Sequence, residues 1–303
     1  MISFILILIS AIFFPGIIAI TKAKFSGRKA PSVLQPWFDI IRLSKKGSVF
    51  STTTSIIFQI SPVLNFVILI AVALIIPFTN KFPGIIHFQG DFLIFIYLLA
   101  LGKFFLIIGA LDVGSGFEGM GANREALYSM LAEPAFFMVI ATLVLLTGNS
   151  SFSDMFSGLN LNLYSAILFV LLALYILVQF AMIESSRLPV DDPKTHLELT
   201  MIHEVMVLDN SGIDMAMVNI GNSLKFSIFG AIMANIILAI WPINLVLSIL
   251  IFLVVELIFA LLVGFLESFK ARLKLIYNSQ FILTISSIGV VLFLMILLLK
   301  NQL

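Results

Sequence analysis

The chain has 303 residues, of which 61% are hydrophobic and only 11% charged, and its mean hydropathy is +1.17. This composition excludes a soluble globular domain and indicates an integral membrane protein. A formal net charge of +1 gives no basis for binding nucleic acid or a strongly acidic partner. The absence of cysteine excludes disulfides and iron–sulfur ligation by this chain.

Apolar stretches long enough to cross a bilayer recur along the chain. A hydrocarbon core about 30 Å thick needs about 20 helical residues. Such stretches lie near residues 1–20, 56–78, 91–111, 129–148, 161–183, 223–240, 243–266 and 280–299. Backbone groups in lipid must be satisfied internally, and the alternation of barrel strands is absent. We therefore predict an all-α integral membrane protein of about eight transmembrane helices, forming a single polytopic domain over residues 1–303.

The first stretch is predicted to be a retained helix. Its positive charges, beginning with Lys22 and Lys24, follow the apolar run, whereas a signal peptide carries them in front. Further basic residues fall in the odd-numbered loops: Arg28, Lys29, Arg42, Lys45, Lys46, Arg124, Arg187, Lys194, Lys270, Arg272 and Lys274. The opposite loops hold little beyond Lys81. The positive-inside rule therefore predicts cytoplasmic odd-numbered loops and external termini, in a cytoplasmic (inner) membrane.

Loop one, residues 21–55, contains a pattern typical of an amphipathic helix. One face carries apolar residues and the other polar ones: Leu34, Trp37, Phe38 and Ile41 against Gln35, Asp39, Arg42 and Lys46. Such a helix lies on the membrane surface or under a partner protein.

Loop three, residues 112–128, contains Gly114, Gly116 and Gly119 in a formal GxGxxG match. A dinucleotide site needs this motif between a strand and a helix, whereas here it follows a transmembrane helix. We expect the glycines to permit a tight turn and close approach of another backbone. Beyond it, Glu133 enters the bilayer before Pro134, which loosens the helix and admits water beside the carboxylate. The alternative is an interfacial carboxylate near Arg124.

Loop five, residues 184–222, is the most distinctive segment. Asp192 and Pro193 predict a helix start, supported by a capping box of Thr195 and Glu198. His196 and His203 are two turns apart, too far for one metal held by adjacent turns, and the second histidine of H-E-x-x-H is missing. A face of histidine and glutamate that relays protons or docks a partner fits these residues better than a metal site.

Isolated charges inside the apolar stretches predict an ion path. Lys103 and Glu256 each lie near the middle of an apolar run, and charges at that depth cost roughly 2.5–3.5 kcal/mol on insertion scales. We expect Lys103 to pair with Glu256 or Glu133. Together with Glu184, these residues form a hypothetical polar axis from the cytoplasmic loops to the bilayer centre.

The segment from Glu184 to Glu204, with its Arg187-Leu-Pro-Val-Asp-Asp-Pro core, resembles the membrane subunit of energy-converting [NiFe] hydrogenases, also called formate hydrogenlyase subunit 4. That family is similar to the respiratory complex I subunit located where the hydrophilic arm meets the membrane arm. Segments 28–39, 119–125, 132–134 and 265–267 support the match, which covers nearly the whole chain.

The resemblance implies a junctional subunit that couples redox chemistry in attached proteins to proton or sodium movement. The implied coupling residues are Glu133, Lys103, Glu184, Glu256, Glu204 and His203. The implied contacts with the hydrophilic arm are Arg124, Glu125, Arg187, Asp191, Asp192, His196, Glu198, Asp39 and Arg42. We expect no catalytic residue, metal or cofactor in this chain.

The implied partners are large and small hydrogenase-like subunits, a ferredoxin-like iron–sulfur subunit and antiporter-like membrane subunits, with iron–sulfur clusters and a NiFe centre in those proteins. Two other classes stay open. The closer is a quinone-reducing complex I subunit, although the Pro-Val-Asp-Asp-Pro and His-Leu-Glu-Leu-Thr patterns are those of the hydrogenase branch. The second is a stand-alone ion-coupled transporter, for which the expected inverted repeat is not evident.

Overall fold

The computed structural model describes residues 1–79, 82–157, 163–192, 201–239 and 244–301. The helices are α1 Ile2–Phe25, α2 Gln35–Ser44, α3 Ile56–Ile75, α4 Asp91–Asp112, α5 Gly116–Thr147, α6 Phe152–Ser157, α7 Leu163–Glu184, α8 His203–Met206, α9 Gly212–Leu238, α10 Leu245–Phe269 and α11 Leu275–Asn301. Eight of the helices in these ranges are long and apolar enough to cross a membrane. The predicted all-α membrane fold is confirmed.

Helix α9 lies at the centre of the bundle. It packs against α1, α2, α3, α7 and α10. It is the least apolar of the eight long helices, yet the most buried, with 83% of its apolar window inside the protein against 33–56% for the others. In a membrane protein, polar side chains are more stable when they face the bundle interior, where they form hydrogen bonds or ion pairs with other helices. The polar residues of α9 are therefore candidates for a functional interior.

Polar side chains fix several helix ends. Asp112, at the end of α4, accepts hydrogen bonds from the backbone and hydroxyl of Ser55 at 2.7 and 2.8 Å. Ser55 in turn caps α3 by accepting from the backbone N–H of Ile57. At the opposite end of α3, Asn235 of α9 donates to the carbonyl of Pro77 and accepts from the backbone of Thr79. Both contacts hold helix ends in register, the first through a partly exposed carboxylate and the second through an uncharged amide.

The glycines of loop three behave differently from the prediction. Gly114 does adopt a left-handed turn, with φ of 75°. The expected close approach of another backbone is wrong for Gly114, Gly116 and Gly119, because a methyl group at any of them would meet open space. Close approach occurs at Gly121, which packs against Ile202 and Val205. Most of residues 112–128 are helical, since α5 begins at Gly116.

Loop one contains the expected helix, α2, which packs mainly against α9. Ile40 is its buried residue, whereas Leu34, Phe38 and Ile41 keep 36–48% of their surface exposed. This apolar surface is free to contact lipid or another protein.

Candidate functional site

Four charged side chains meet inside the bundle, one from each of α4, α5, α7 and α9. The ammonium of Lys103 lies 2.7 Å from Glu184 Oε2 and 3.1 Å from Glu125 Oε1. It also donates to the hydroxyl of Ser129 at 2.7 Å. The other oxygen of Glu184 lies 3.3 Å from the ammonium of Lys225. We call Lys103, Glu125, Glu184 and Lys225 the charged cluster.

The charged cluster is buried and its formal charges balance. No more than 6% of any of its four side chains is exposed. Lys103 uses all three N–H donors, and Glu125 additionally accepts from Ser186 at 3.4 Å. Buried ions are tolerated when they are paired and their remaining hydrogen-bonding capacity is used. Two cations and two carboxylates, held by four helices, meet that condition.

The expected partner of Lys103 was wrong. Its contacts are with Glu125 and Glu184, not with Glu256 or Glu133. Glu125 is one of the residues predicted from the sequence to contact the hydrophilic arm. Lys225 is not among the residues predicted to form the site. The sequence did hold a signal for Lys225, since it falls inside the predicted span 223–240.

Glu133 lies beside the charged cluster across a small cavity. The cavity has a volume of about 20 Å³, and Lys103, Glu133 and Glu184 line it together with apolar residues of α4, α5 and α7. A cavity of at least about 10–15 Å³ holds one water molecule when polar partners are present. The cavity is therefore large enough for one water molecule between Glu133 and the cluster.

Glu256 forms a second and separate acidic site. It is 3% exposed and lies in the middle of α10. Its nearest hydroxyls come from Ser10 and Ser227, yet neither carboxylate oxygen has a hydrogen bond of normal geometry among the described residues. Gly230 packs directly against the carboxylate, where a methyl group would overlap it. Lys225 and Gly230 are five residues apart on α9, or about 7.5 Å along its axis, so this helix connects the two sites.

Asp191 anchors loop five. Its Oδ2 accepts from the backbone N–H groups of Ile202 and His203 at 3.2 and 3.0 Å, and its Oδ1 lies 2.9 Å from Arg272. Burial raises the pKa of Asp191 above its ordinary value, although the His203 N–H and Arg272 act in the opposite direction. This carboxylate ties the two described ends of the loop to the start of α11.

A second anchor is formed by Arg187 and Glu267. Arg187 lies 3.2 Å from Glu267 Oε1, and Lys22 of α1 lies 2.8 Å from Glu267 Oε2. The guanidinium of Arg187 also stacks over the ring of Phe226, 5.2 Å from its centroid. The Glu267 side chain is fully buried, so its two cations compensate it. Loop five, α1, α9 and α10 are thereby held together at one end of the bundle.

Between these anchors lies a cavity of about 260 Å³. Its wall comes from α1, α2, α9 and loop five, and its polar residues are Asp39, Ser185, Ser186, Arg187, His203, Glu204, Asn219, Asn222 and Ser223. Ser186 both lines this cavity and donates to Glu125. Ser186 is therefore a direct contact between the cavity wall and the charged cluster.

His203 is the histidine of this wall. It is 7% exposed, and its Nε2 lies 3.0 Å from the Asn222 amide nitrogen. Burial lowers the pKa of His203 to about 4, and the neighbouring Lys225 and Lys103 act in the same direction, against Glu125 and Glu184. The imidazole is therefore neutral at physiological pH.

The remaining predicted junction residues are dispersed. Arg124 donates to the backbone carbonyl of Met201 at 3.0 Å, which ties α5 to loop five. Asp39 and Arg42 form a 3.8 Å ion pair on the exposed side of α2. Asp192 follows Asp191 at the last described position of this part of the loop. His196 and Glu198 lie outside the described residues, as do Pro193, Thr195 and the predicted capping box.

The residues that could bind a metal are few. Within the described ranges, no three His, Cys, Asp or Glu side chains come together at metal-binding distances. The chain has no cysteine for an iron–sulfur cluster. What the site offers chemically is a set of proton acceptors and donors: carboxylates, ammonium groups, one imidazole and several hydroxyls.

Comparison with known proteins identifies the family of the chain. The family profile described as NADH dehydrogenase matches residues 1–299. Hydrogenase-4 component C of Escherichia coli (strain K12) is 31% identical over 215 residues, which cover 70% of this chain and 66% of that protein. Formate hydrogenlyase subunit 4 of the same organism is 28% identical over 210 residues, 69% of this chain and 67% of that protein. The chain thus aligns with about two thirds of the length of these relatives.

A solved structure shows the same fold. It is described as the membrane-bound sulfane sulfur reductase, an archaeal respiratory membrane complex, and its matching chain superimposes with a TM-score of 0.80. The match covers 97% of this chain and 98% of that chain at 19% sequence identity. At this identity the likeness concerns the fold alone.

Proposed function

Because the chain belongs to the NADH dehydrogenase family of membrane proteins, we propose that it is the junctional membrane subunit of an energy-converting oxidoreductase of the hydrogenase or formate hydrogenlyase type. In this role it anchors a hydrophilic redox arm and couples electron transfer to the movement of protons or sodium ions. The names of the two bacterial relatives favour this branch of the family.

The observation that carries the proposal is the charged cluster inside the membrane-spanning bundle. A purely structural anchor has no use for two lysines and two carboxylates buried among four helices, because burying charges costs more than burying apolar groups of similar size. Ionisable groups inside a membrane bundle mark ion pathways. Glu133 across the water-sized cavity extends this pathway, and Glu256 supplies a further carboxylate along α9.

The proposed orientation follows from loop charge. The large cavity, Arg187 and Glu204 belong to the same end of the bundle as the basic loop-one residue Lys22. We propose that this end faces the cytoplasm and receives the hydrophilic arm, with both termini of the chain outside. The partners in this arm are hydrogenase-like large and small subunits and a ferredoxin-like iron–sulfur subunit, next to antiporter-like membrane subunits. Their metal centres are not carried by this chain.

One observation favours a second function. The 260 Å³ cavity is lined by polar groups together with Phe226, Ile40 and two prolines. Ligand sites for small molecules typically have about 300–1,000 Å³, so the cavity is large enough for a ring-sized head group but small for a whole cofactor. A quinone-reducing complex I subunit would use this cavity for the quinone head group.

The test is isolation of the complex from its native membrane. The tagged chain is extracted gently, the proteins that accompany it are identified, and the fraction is assayed for nickel, iron and hydrogen evolution. Nickel with hydrogenase-like and antiporter-like subunits supports the first function. Flavin and NADH-oxidising subunits, with inhibitor-sensitive quinone reduction, support the second. A chain that purifies alone and transports ions contradicts both and restores the stand-alone transporter.

A further inference from the structure

His203 and Asn222 form a hydrogen-bonded pair in the wall of the large cavity. The amide nitrogen of Asn222 lies 3.0 Å from His203 Nε2. A carboxamide nitrogen only donates, so Nε2 accepts and the single proton of the neutral imidazole resides on Nδ1. Asn222 therefore selects one tautomer of a buried ring.

The ring lies between the large cavity and the charged cluster. It forms part of the cavity wall, as does Asn222. Charged groups act on it from four helices, namely Lys103 of α4, Glu125 of α5, Glu184 of α7 and Lys225 of α9. Asp39, Arg187 and Glu204 line the same cavity. A group in this position has ionisable neighbours in both directions.

We propose that His203 and Asn222 form a proton-transfer pair between the cavity and the charged cluster, in which Asn222 is the positioning residue. This inference rests on the proposed function. Asparagine suits the role because rotation of its carboxamide presents either the nitrogen or the oxygen to the ring. The nitrogen bonds the neutral ring at Nε2, and the oxygen accepts from Nε2–H of the imidazolium.

The proton balance is as follows. A proton arriving from an acid or hydronium in the cavity binds Nε2 once the carboxamide has turned its oxygen toward the ring. The Nδ1 proton then leaves to an ionised carboxylate of the cluster, for which Glu125 is the candidate because it is the carboxylate that acts most strongly on His203. The ring is then neutral again in the other tautomer. A half-turn of the imidazole about its Cβ–Cγ bond brings the unprotonated nitrogen to the cavity side, so each cycle moves one proton from the cavity to the cluster.

The experiment compares Asn222→Leu and Asn222→Asp in membrane vesicles that contain the whole complex, with ion translocation driven by the redox reaction and measured from pH 5 to 9. Leucine has nearly the same shape but bonds neither state of the ring. We expect it to lower translocation about tenfold or more at every pH, as general acid–base steps contribute at least that much. Redox turnover with an added uncoupler should persist.

The Asn222→Asp variant allows a more specific prediction than Asn222→Leu. A carboxylate in place of the amide favours the imidazolium and raises the pKa of His203 by about 1–3 units. Translocation should then show a new acidic limb: it is impaired least at high pH and falls further as the ring becomes permanently protonated. Asn219→Asp is the matched control, because it adds the same charge to the same cavity wall one turn away, without a bond to His203 among the described contacts. Asn219→Asp should shift the acidic limb of the pH profile less than Asn222→Asp does.

The inference is overturned if Asn222→Leu translocates like the unmodified complex, or if Asn222→Asp lowers translocation equally at all pH values. A cluster variant in the same preparation separates this failure from that of the proposed function. If Lys103→Met combined with Glu125→Gln abolishes translocation while the Asn222 variants leave it normal, the pair is wrong and the function stands. If the cluster variant also translocates normally, the proposed function itself is wrong.

Discussion

The two buried acidic sites of this protein differ in whether cations lie beside their carboxyl groups. In the charged cluster, Glu125 and Glu184 are compensated by Lys103 and Lys225 at 2.7–3.3 Å. Glu256, equally buried, has no cation beside it among the described residues, only hydroxyls, glycine and apolar side chains. The difference indicates that the cluster is a balanced set of charges fixed by several helices, whereas Glu256 is a single buried carboxyl group without a neighbouring cation among the described residues.

The comparison predicts different responses to mutation. Removing Lys103, which contacts both carboxylates of the cluster, leaves buried charges without their partner, which is strongly destabilising. Neutralising Glu256 removes an uncompensated group and should cost little stability. We therefore propose that Glu256 acts in ion movement, and that the cluster acts in both ion movement and folding.

Lys103→Met should have the largest effect on stability. It leaves two carboxylates buried with one lysine between them, so we expect a loss of about 3–5 kcal/mol, seen as a lower thermal unfolding temperature of the protein in detergent. The double variant Lys103→Met with Glu125→Gln restores the charge balance and should recover part of the loss. Lys24→Met, at an exposed position, is the control and should change stability by less than about 0.5 kcal/mol. Equal effects of Lys103→Met and Lys24→Met would show that the cluster does not support the fold.

Acidification should be the next largest effect. Since the folded-state pKa of His203 is about 4 against an ordinary value of 6.5, the unfolded chain binds this proton first as the pH falls. The stability associated with neutral His203 is thus complete above about pH 6.5 and is lost progressively toward pH 4, by up to about 3 kcal/mol. Replacement of His203 by Gln should make the unfolding temperature depend less on pH over that range. An unchanged slope would mean that other groups cause the acid sensitivity.

Gly230→Ala probes the site of Glu256. A methyl group there overlaps the carboxylate, and we expect a loss of about 1–3 kcal/mol in the same unfolding assay. Combining it with Glu256→Ala should remove most of this loss, because the overlapping atoms are gone. Gly119→Ala, also within a helix but facing open space, should be neutral or stabilising. Additive effects of Gly230→Ala and Glu256→Ala would contradict the described contact.

Lys225→Met should have the smallest effect. Lys225 has one described bond, at 3.3 Å to Glu184, whereas Glu184 keeps its 2.7 Å contact with Lys103. Release of the buried ammonium offsets part of the lost bond, so we expect a net loss near 1 kcal/mol. A loss as large as that of Lys103→Met would show that the two lysines support the cluster equally.

The fold was predictable because membrane spans are encoded locally. An apolar run of about 20 residues must be helical in lipid whatever its neighbours, and the eight predicted stretches correspond to the eight long helices. Lys103 and Glu256 were identifiable for the same reason, since an isolated charge in an apolar run is visible in the sequence. The amphipathic pattern of loop one likewise predicted α2.

The pairing of these charges was not predictable, because it depends on which helices become neighbours. Lys103 meets Glu125 and Glu184 through the packing of α4, α5 and α7, and no local pattern encodes that packing. Lys225 was overlooked because Asn219, Asn222 and Ser223 precede it, so the segment resembles a solvated helix end. The start of α5 at Gly116 was hidden by glycines, which are common in loops.

The most direct test of the account is redox-driven ion translocation in vesicles that contain the whole complex, compared for Glu256→Gln and for the charge-balanced variant Lys103→Met with Glu125→Gln. The double variant conserves the charge balance of the cluster, and Glu256→Gln keeps the shape of a carboxyl group that has no cation beside it among the described residues. The complex should therefore assemble and turn over in the presence of an uncoupler. We predict that translocation falls severely in both variants while uncoupled turnover continues. Normal translocation in both would contradict the claim that the buried charges carry the coupling.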